Sequence, residues 1–250
     1  MWTASALACE ARAARGVGWR AVEAQHQAAT RRLTDSDDEQ RVLEEVLEST
    51  KPPYPPGCEK LHYLLKTPFR YGAPRPHGSR FRPAGPGEGA FYAAEAVRTA
   101  LAETAFYRLL FFEAMAQPRY PTRPVPLTVF AARYRSGQCL DLTRPPLTAD
   151  RAWWTDPCDY THTQALAQRA REAGIQVIRY ESVRDPQRGA NLALLTPAAF
   201  AAARPVREQS WHMMVRAEEV TAWHSLEPAD RVRFERSAFE IGGRLLAPWG

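Results

Sequence analysis

The chain has 250 residues, a mass of 28.1 kDa, a hydrophobic fraction of 45% and a net charge of +5, which suits one substantial core and excludes a disordered protein. No apolar run reaches membrane-spanning length, and Met1-Trp2-Thr3-Ala4 does not open a basic stretch followed by a long apolar one, so no secretory leader is expected. Cys9, Cys58, Cys139 and Cys158 lack paired spacing, which predicts reduced thiols in a cytoplasmic protein and no zinc site.

The excess charge is local. Residues 1–60 carry 8 basic and 10 acidic groups, 61–135 carry 11 and 4, and 136–250 carry 14 of each. Three lysines stand against thirty arginines. That bias explains why the cations are arginines. It does not explain why acidic groups are scarce between 61 and 135, and such a segment attracts phosphates.

In chain order, residues 11–32 are helix-permissive, with a break at Gly16-Val17-Gly18. Ser36-Asp37-Asp38-Glu39 has capping-box spacing, and Val42, Leu43, Val46 and Leu47 share the helical face that follows. Lys51-Pro52-Pro53-Tyr54-Pro55-Pro56-Gly57 forbids regular structure. It divides a helical N-terminal extension (1–58) from a main domain (59–250). Within the main domain, 72–89 reads as loop, 90–94 as a strand and 96–115 as a helix. Strands are expected at 125–134, 139–142, 175–180, 191–195, 211–215 and 220–224. A helix over 164–173 ends at Gly174, a short one over 197–203 begins with proline, and Trp153-Trp154 falls in a loop. The mixed order, without βαβ alternation, gives an α+β fold.

Five residues form a compact chemical set: Arg70, Arg80, Tyr92, Glu103 and Ser182. Paired guanidinium forks suit a pyrophosphate. A tyrosine can stack on a flat ring, and one carboxylate can stabilise positive charge developing on a sugar carbon. Ser182 has no Gly-x-Ser-x-Gly elbow, so it is not read as a hydrolase nucleophile. The histidines show no metal-ligand spacing, and no G-x-G-x-x-G or Walker loop is present. Two other readings stay open: a basic nucleic-acid-binding module, and a protein-interaction module without catalysis.

These stretches resemble the RES-domain family, the toxin half of RES–Xre toxin–antitoxin modules. Arg70 with Tyr71 beside it, Arg80 before Phe81-Arg82-Pro83, Tyr92, Glu103 in Ala100-Leu101-Ala102-Glu103, and Ser182 in Tyr180-Glu181-Ser182-Val183-Arg184 follow the family pattern. Arg82 departs from it, standing where the family more often has asparagine. The resemblance spans about 60–225. It implies a fold related to ADP-ribosyltransferases, with small mixed sheets forming an NAD cleft. It implies Glu103, Arg70 and Ser182 in catalysis, and Arg70, Tyr71, Arg80, Tyr92 and Ser182 around NAD, which is the substrate; no metal is implied. It further implies transfer of ADP-ribose to a protein such as phosphoribosyl pyrophosphate synthetase, or loss of NAD to water or phosphate. The implied partner is an Xre-like antitoxin, with no membrane or direct nucleic-acid contact.

Overall fold

The computed structural model describes residues 2–24, 33–70, 78–84 and 88–245. A short helix, α1 (Ala4–Glu10), is capped by the Thr3 hydroxyl, which accepts a hydrogen bond from the Ala6 amide. Strand β1 (Arg12–Glu23) follows. The helical reading of 11–32 is therefore corrected over these residues; 25–32 lie outside the described ones. Local propensity permits helix here, but pairing with a long partner strand decides the outcome. The two glycines that read as a helix break let neighbouring strands approach. A Cβ on Gly18 would lie 2.8 Å from the Ala93 methyl, and one on Gly16 would lie 3.1 Å from the Tyr134 ring.

Helix α2 (Asp37–Ser49) starts where the capping box predicts. The Ser36 hydroxyl accepts from the Glu39 amide at 3.2 Å, and the Glu39 carboxylate accepts from the Asp35 amide at 2.8 Å, one residue earlier than in the standard reciprocal box. The proline-rich stretch is irregular, as expected. Helix α3 (Tyr63–Arg70), with Pro68 inside it, was not expected. Next come β2 (Phe91–Ala94) and α4 (Val97–Glu113), close to their predicted limits.

The strands expected at 125–134 and 139–142 are one continuous strand, β3 (Val125–Asp141). Trp153-Trp154 is not loop but part of a helical turn, α5 (Arg151–Trp154), where the indole of buried Trp154 donates to the Leu147 carbonyl. Helix α6 (Thr161–Glu172) ends before Gly174, whose φ is +72°. Strands β4 (Val177–Glu181), β5 (Ala190–Leu194), β6 (Arg207–Val215) and β7 (Glu219–His224) match expectation; β8 (Arg231–Glu235) is additional.

Hydrogen bonding links all eight strands into one mixed sheet, ordered β1-β2-β5-β4-β3-β6-β7-β8, where separate small sheets were expected. Only β3 and β4 run parallel. β3 is long enough to serve two sets of neighbours. Its first half pairs with β6, and its last three residues pair with β4. Along nearly its whole length it pairs with β1, from Arg12 opposite Cys139 to Glu23 opposite Leu127. Trp19 of β1 also faces Ala94 of β2, so β1, β2, β5, β4 and β3 form a closed circuit.

Helix α4 buries Leu101, Ala105, Phe106 and Leu109 against Leu127 of β3 and Trp211, Val220 and Phe234 of the β6–β8 wing. Helix α6 buries Leu166, Ala167 and Ala170 beside Leu140, Ile178 and Ala193. A third cluster joins Leu65 and Phe69 of α3 to Phe91, Phe130 and Leu192. No helix among the described residues is long and apolar enough to cross a membrane. Phe130 sits fully buried on β3 where the circuit meets the wing, and its ring lies 6.2 Å from that of Phe91. Phe130→Ala should cost about 3–5 kcal/mol of stability, read as a lower midpoint in urea unfolding; an unchanged midpoint would refute this view of the core.

Candidate active site

A cavity of about 720 Å³ opens between α4, β1, β2 and the end of β4. Glu103 lies in the middle of α4, half-buried, with its carboxylate directed to β4 and β5. The Ser182 hydroxyl donates to Glu103 Oε1 at 2.7 Å, and Asn191 Nδ2 donates to the same oxygen at 2.6 Å. Oε2 has no hydrogen-bond partner among the described residues. One oxygen is thus fixed and the other is left for a ligand.

The holders are themselves held. Ser182 is fully buried just past β4, and its hydroxyl accepts from the Arg184 and Asp185 amides at 3.2 and 3.0 Å. The buried Asp185 carboxylate accepts from the Thr99 hydroxyl at 2.8 Å, clipping this turn to α4 one helical turn before Glu103. Gly189 makes the clip possible, because a Cβ there would fall 2.2 Å from the Thr99 hydroxyl oxygen. Asn191 is the second residue of β5, opposite Tyr180.

Among the described residues, five arginines line the cavity: Arg20, Arg80, Arg82, Arg108 and Arg184. Arg80 is buried; it donates to the Trp154 and Asp156 carbonyls at 2.9 Å each and stacks over the Tyr160 ring. Arg184 donates to the Pro157 carbonyl at 2.5 Å and lies over Phe106. Arg20 donates to the Tyr92 carbonyl, and Arg108 pairs with Glu23. Carbonyl oxygens and aromatic faces fix the Arg80 and Arg184 guanidiniums without cancelling their charge.

Tyr92 of β2 lines the cavity, and its hydroxyl bonds Ser79 Oγ at 2.9 Å while accepting from the Phe81 amide at 3.0 Å. It therefore pins the turn that carries Arg80. Burial pushes the phenols of Tyr92 and Tyr180 above their ordinary value, so both stay protonated at neutral pH.

Arg80, Tyr92, Glu103 and Ser182 thus come together. Arg70 does not join them. It is buried at the end of α3, pairs with Glu48 of α2 at 2.5 Å, donates from Nε to the Pro52 carbonyl at 2.6 Å and lies over the Tyr54 ring. Tyr71 lies outside the described residues. Asn191, Arg20, Arg184 and Tyr107 were not singled out from the sequence, yet they line the cavity. Asn191 had one faint signal: it is an amide side chain within an otherwise apolar strand.

The RES domain model matches residues 54–215, the stretch holding Arg80, Tyr92, Glu103, Ser182 and Asn191. Among solved structures, the chain is similar to the crystal structure of the M. tuberculosis MbcT–MbcA toxin–antitoxin complex. Identity is 12%, the match covers 83% of this chain and 89% of that one, and the TM-score is 0.47. None of the curated proteins matches the chain. With well over half its length matched by that family's model, the chain belongs to the RES-domain family.

Proposed function

We propose that this protein cleaves the nicotinamide–ribose bond of NAD, as the toxin of a toxin–antitoxin module with an ADP-ribosyltransferase-like cleft. The observation that carries the reading is a single carboxylate, positioned through one oxygen, inside a cavity lined by five arginines. A volume of about 720 Å³ lies in the range of small-molecule and cofactor sites. NAD needs both features. Its pyrophosphate calls for fixed guanidinium groups. Its nicotinamide is already cationic, so it departs with the bonding electrons and needs no proton from an acid. One carboxylate then suffices to stabilise the oxocarbenium-like ribose.

The free oxygen of Glu103 faces the developing charge, while Ser182 and Asn191 are positioning residues that keep it there. Tyr92 lies against the nicotinamide ring and orders the Arg80 turn. The phosphates fall to the arginines lining the cavity. Arg70 braces α3, whose Thr67 and Pro68 form part of the cavity wall. ADP-ribose then passes to a protein, water or phosphate. The partner is an Xre-like antitoxin that blocks entry to the cavity in the cytoplasm. Against a nucleic-acid module, the arginines converge on a concave site around a carboxylate and not along an exposed stripe.

Nicotinamide release from NAD by the purified chain tests the reading. Release in buffer, or raised by phosphate, marks NAD degradation; release only with cell extract, with ADP-ribose on a protein band, marks transfer. No release from folded protein in any of these conditions would sink the proposal. Glu103→Gln should lower release at least about 100-fold with an unchanged circular dichroism spectrum; retained activity would remove Glu103 from its role. Asn191→Ala should lower kcat on the order of 100-fold with little change in KM, because it displaces the carboxylate and not the substrate. A pure KM effect would instead make Asn191 a substrate ligand.

A further inference from the structure

We propose that Asp156 is a positioning residue for the phosphate-binding arginines: its side chain folds the loop between α5 and α6 that sets where Arg80 and Arg184 stand. The proposal rests on reading the cavity as a dinucleotide site, and takes from that reading only that these two arginines receive phosphates.

Arg80 and Arg184 are unlike Arg108, which pairs with Glu23. Among the described residues neither has a carboxylate partner, and both line the cavity. They come from distant parts of the chain, Arg80 from a turn closed by the Ser79–Arg82 bridge and Arg184 from the turn after β4. Both reach the same segment, 154–157. Arg80 donates to the Trp154 and Asp156 carbonyls at 2.9 Å each, and Arg184 donates to the Pro157 carbonyl at 2.5 Å. The segment is a template. Where its three carbonyls stand decides where the two guanidiniums stand, and two fixed guanidiniums suit the two phosphates of a pyrophosphate.

One side chain shapes that template. The Thr155 amide donates to the Arg151 carbonyl of α5, and the Tyr160 carbonyl accepts from the Gln164 amide of α6. Between these two anchors, residues 156–159 make no backbone–backbone hydrogen bond among the described residues. Asp156 Oδ1 takes the place of such bonds, accepting from the Cys158 and Asp159 amides at 2.8 and 2.6 Å. Pro157 stiffens the same turn. The carbonyls of Asp156 and Pro157 project from it, so its shape passes straight to Arg80 and Arg184. The Asp156 carboxylate itself bonds neither guanidinium and lies outside the cavity lining. It acts through the main chain: without the acceptor two amides lose their partner, the carbonyls drift, and the guanidiniums lose their common spacing.

Calorimetric titration of inorganic pyrophosphate into the full chain, at one fixed low salt concentration, tests this. The wild type should bind it, and Asp156→Ala should weaken binding about 10-fold or more. Asp156→Asn keeps the oxygen acceptor and should bind as the wild type does. Asp156→Glu keeps the charge but moves the acceptor, so it should weaken binding as alanine does; it replaces the alanine variant if that one fails to fold. Cys158, half-buried in the same turn, gives a second readout. Iodoacetamide should alkylate it faster in the alanine and glutamate variants, while buried Cys58 and Cys139 stay unreactive and report an intact fold. A wild type that binds no pyrophosphate overturns the proposal. So do alanine and glutamate variants that bind as the wild type does, or an asparagine variant as weak as alanine, since charge and not the acceptor would then matter. In nicotinamide release the loss should fall on KM; a loss confined to kcat would overturn the assignment. Pyrophosphate binding in this order without nicotinamide release sinks the reaction and leaves Asp156 in its role. Nicotinamide release with none of these effects sinks the role of Asp156 alone.

Discussion

The antiparallel pairing of β1 with β3 is the constraint on which the rest depends. Because both strands are long, β3 can hold β1 along one side and divide its other side between β6 and β4. That division sends the β6–β8 wing one way and the β4–β5 pair another. The gap between them is bridged by α4, whose apolar residues are committed to the wing. The opposite side of α4 is then free to present Glu103 to β4 and β5. A cavity-facing carboxylate on a largely apolar helix is thus a consequence of how one strand distributes its hydrogen bonds.

Around that carboxylate, positioning runs through short polar links between separate elements. Thr99 and Asp185 join α4 to the turn after β4; Ser182 and Asn191 join β4 and β5 to Glu103. Thr99, Asp185, Ser182 and Asn191 are buried and each makes one of these bonds, which offsets much of their desolvation, while Asn191 Oδ1 has no partner among the described residues. The arginines follow the same rule with different acceptors, since Arg80 and Arg184 spend their donors on main-chain carbonyls.

The sequence carried much of this at short range. Ser36, Gly174 and the apolar period of α4 act within a turn or two of their own positions, and their elements stand where that local chemistry puts them. Arg80, Tyr92, Glu103 and Ser182 were legible because their residue types suit one chemistry, and the fold gathers them. What escaped is what depends on distant partners. β1 is locally helix-permissive and becomes a strand because β3 is beside it. Asn191 acquires its role only when β5 lies next to Glu103. Arg70 has the right residue type, but the side chains that reach it come from α2 and the proline-rich stretch, and no spacing rule reveals that.

The way Arg80 and Arg184 are anchored has a thermodynamic consequence. Neutral carbonyls hold both groups in place but leave their charges whole, so two cations share a partly enclosed space with the Glu103 carboxylate. The native fold carries that self-repulsion whenever the cavity holds only solvent. Any polyanion that enters relieves it, and so binds the native chain far better than the unfolded one. Such a ligand is then also a folding agent, and the folded fraction of the chain rises with its concentration.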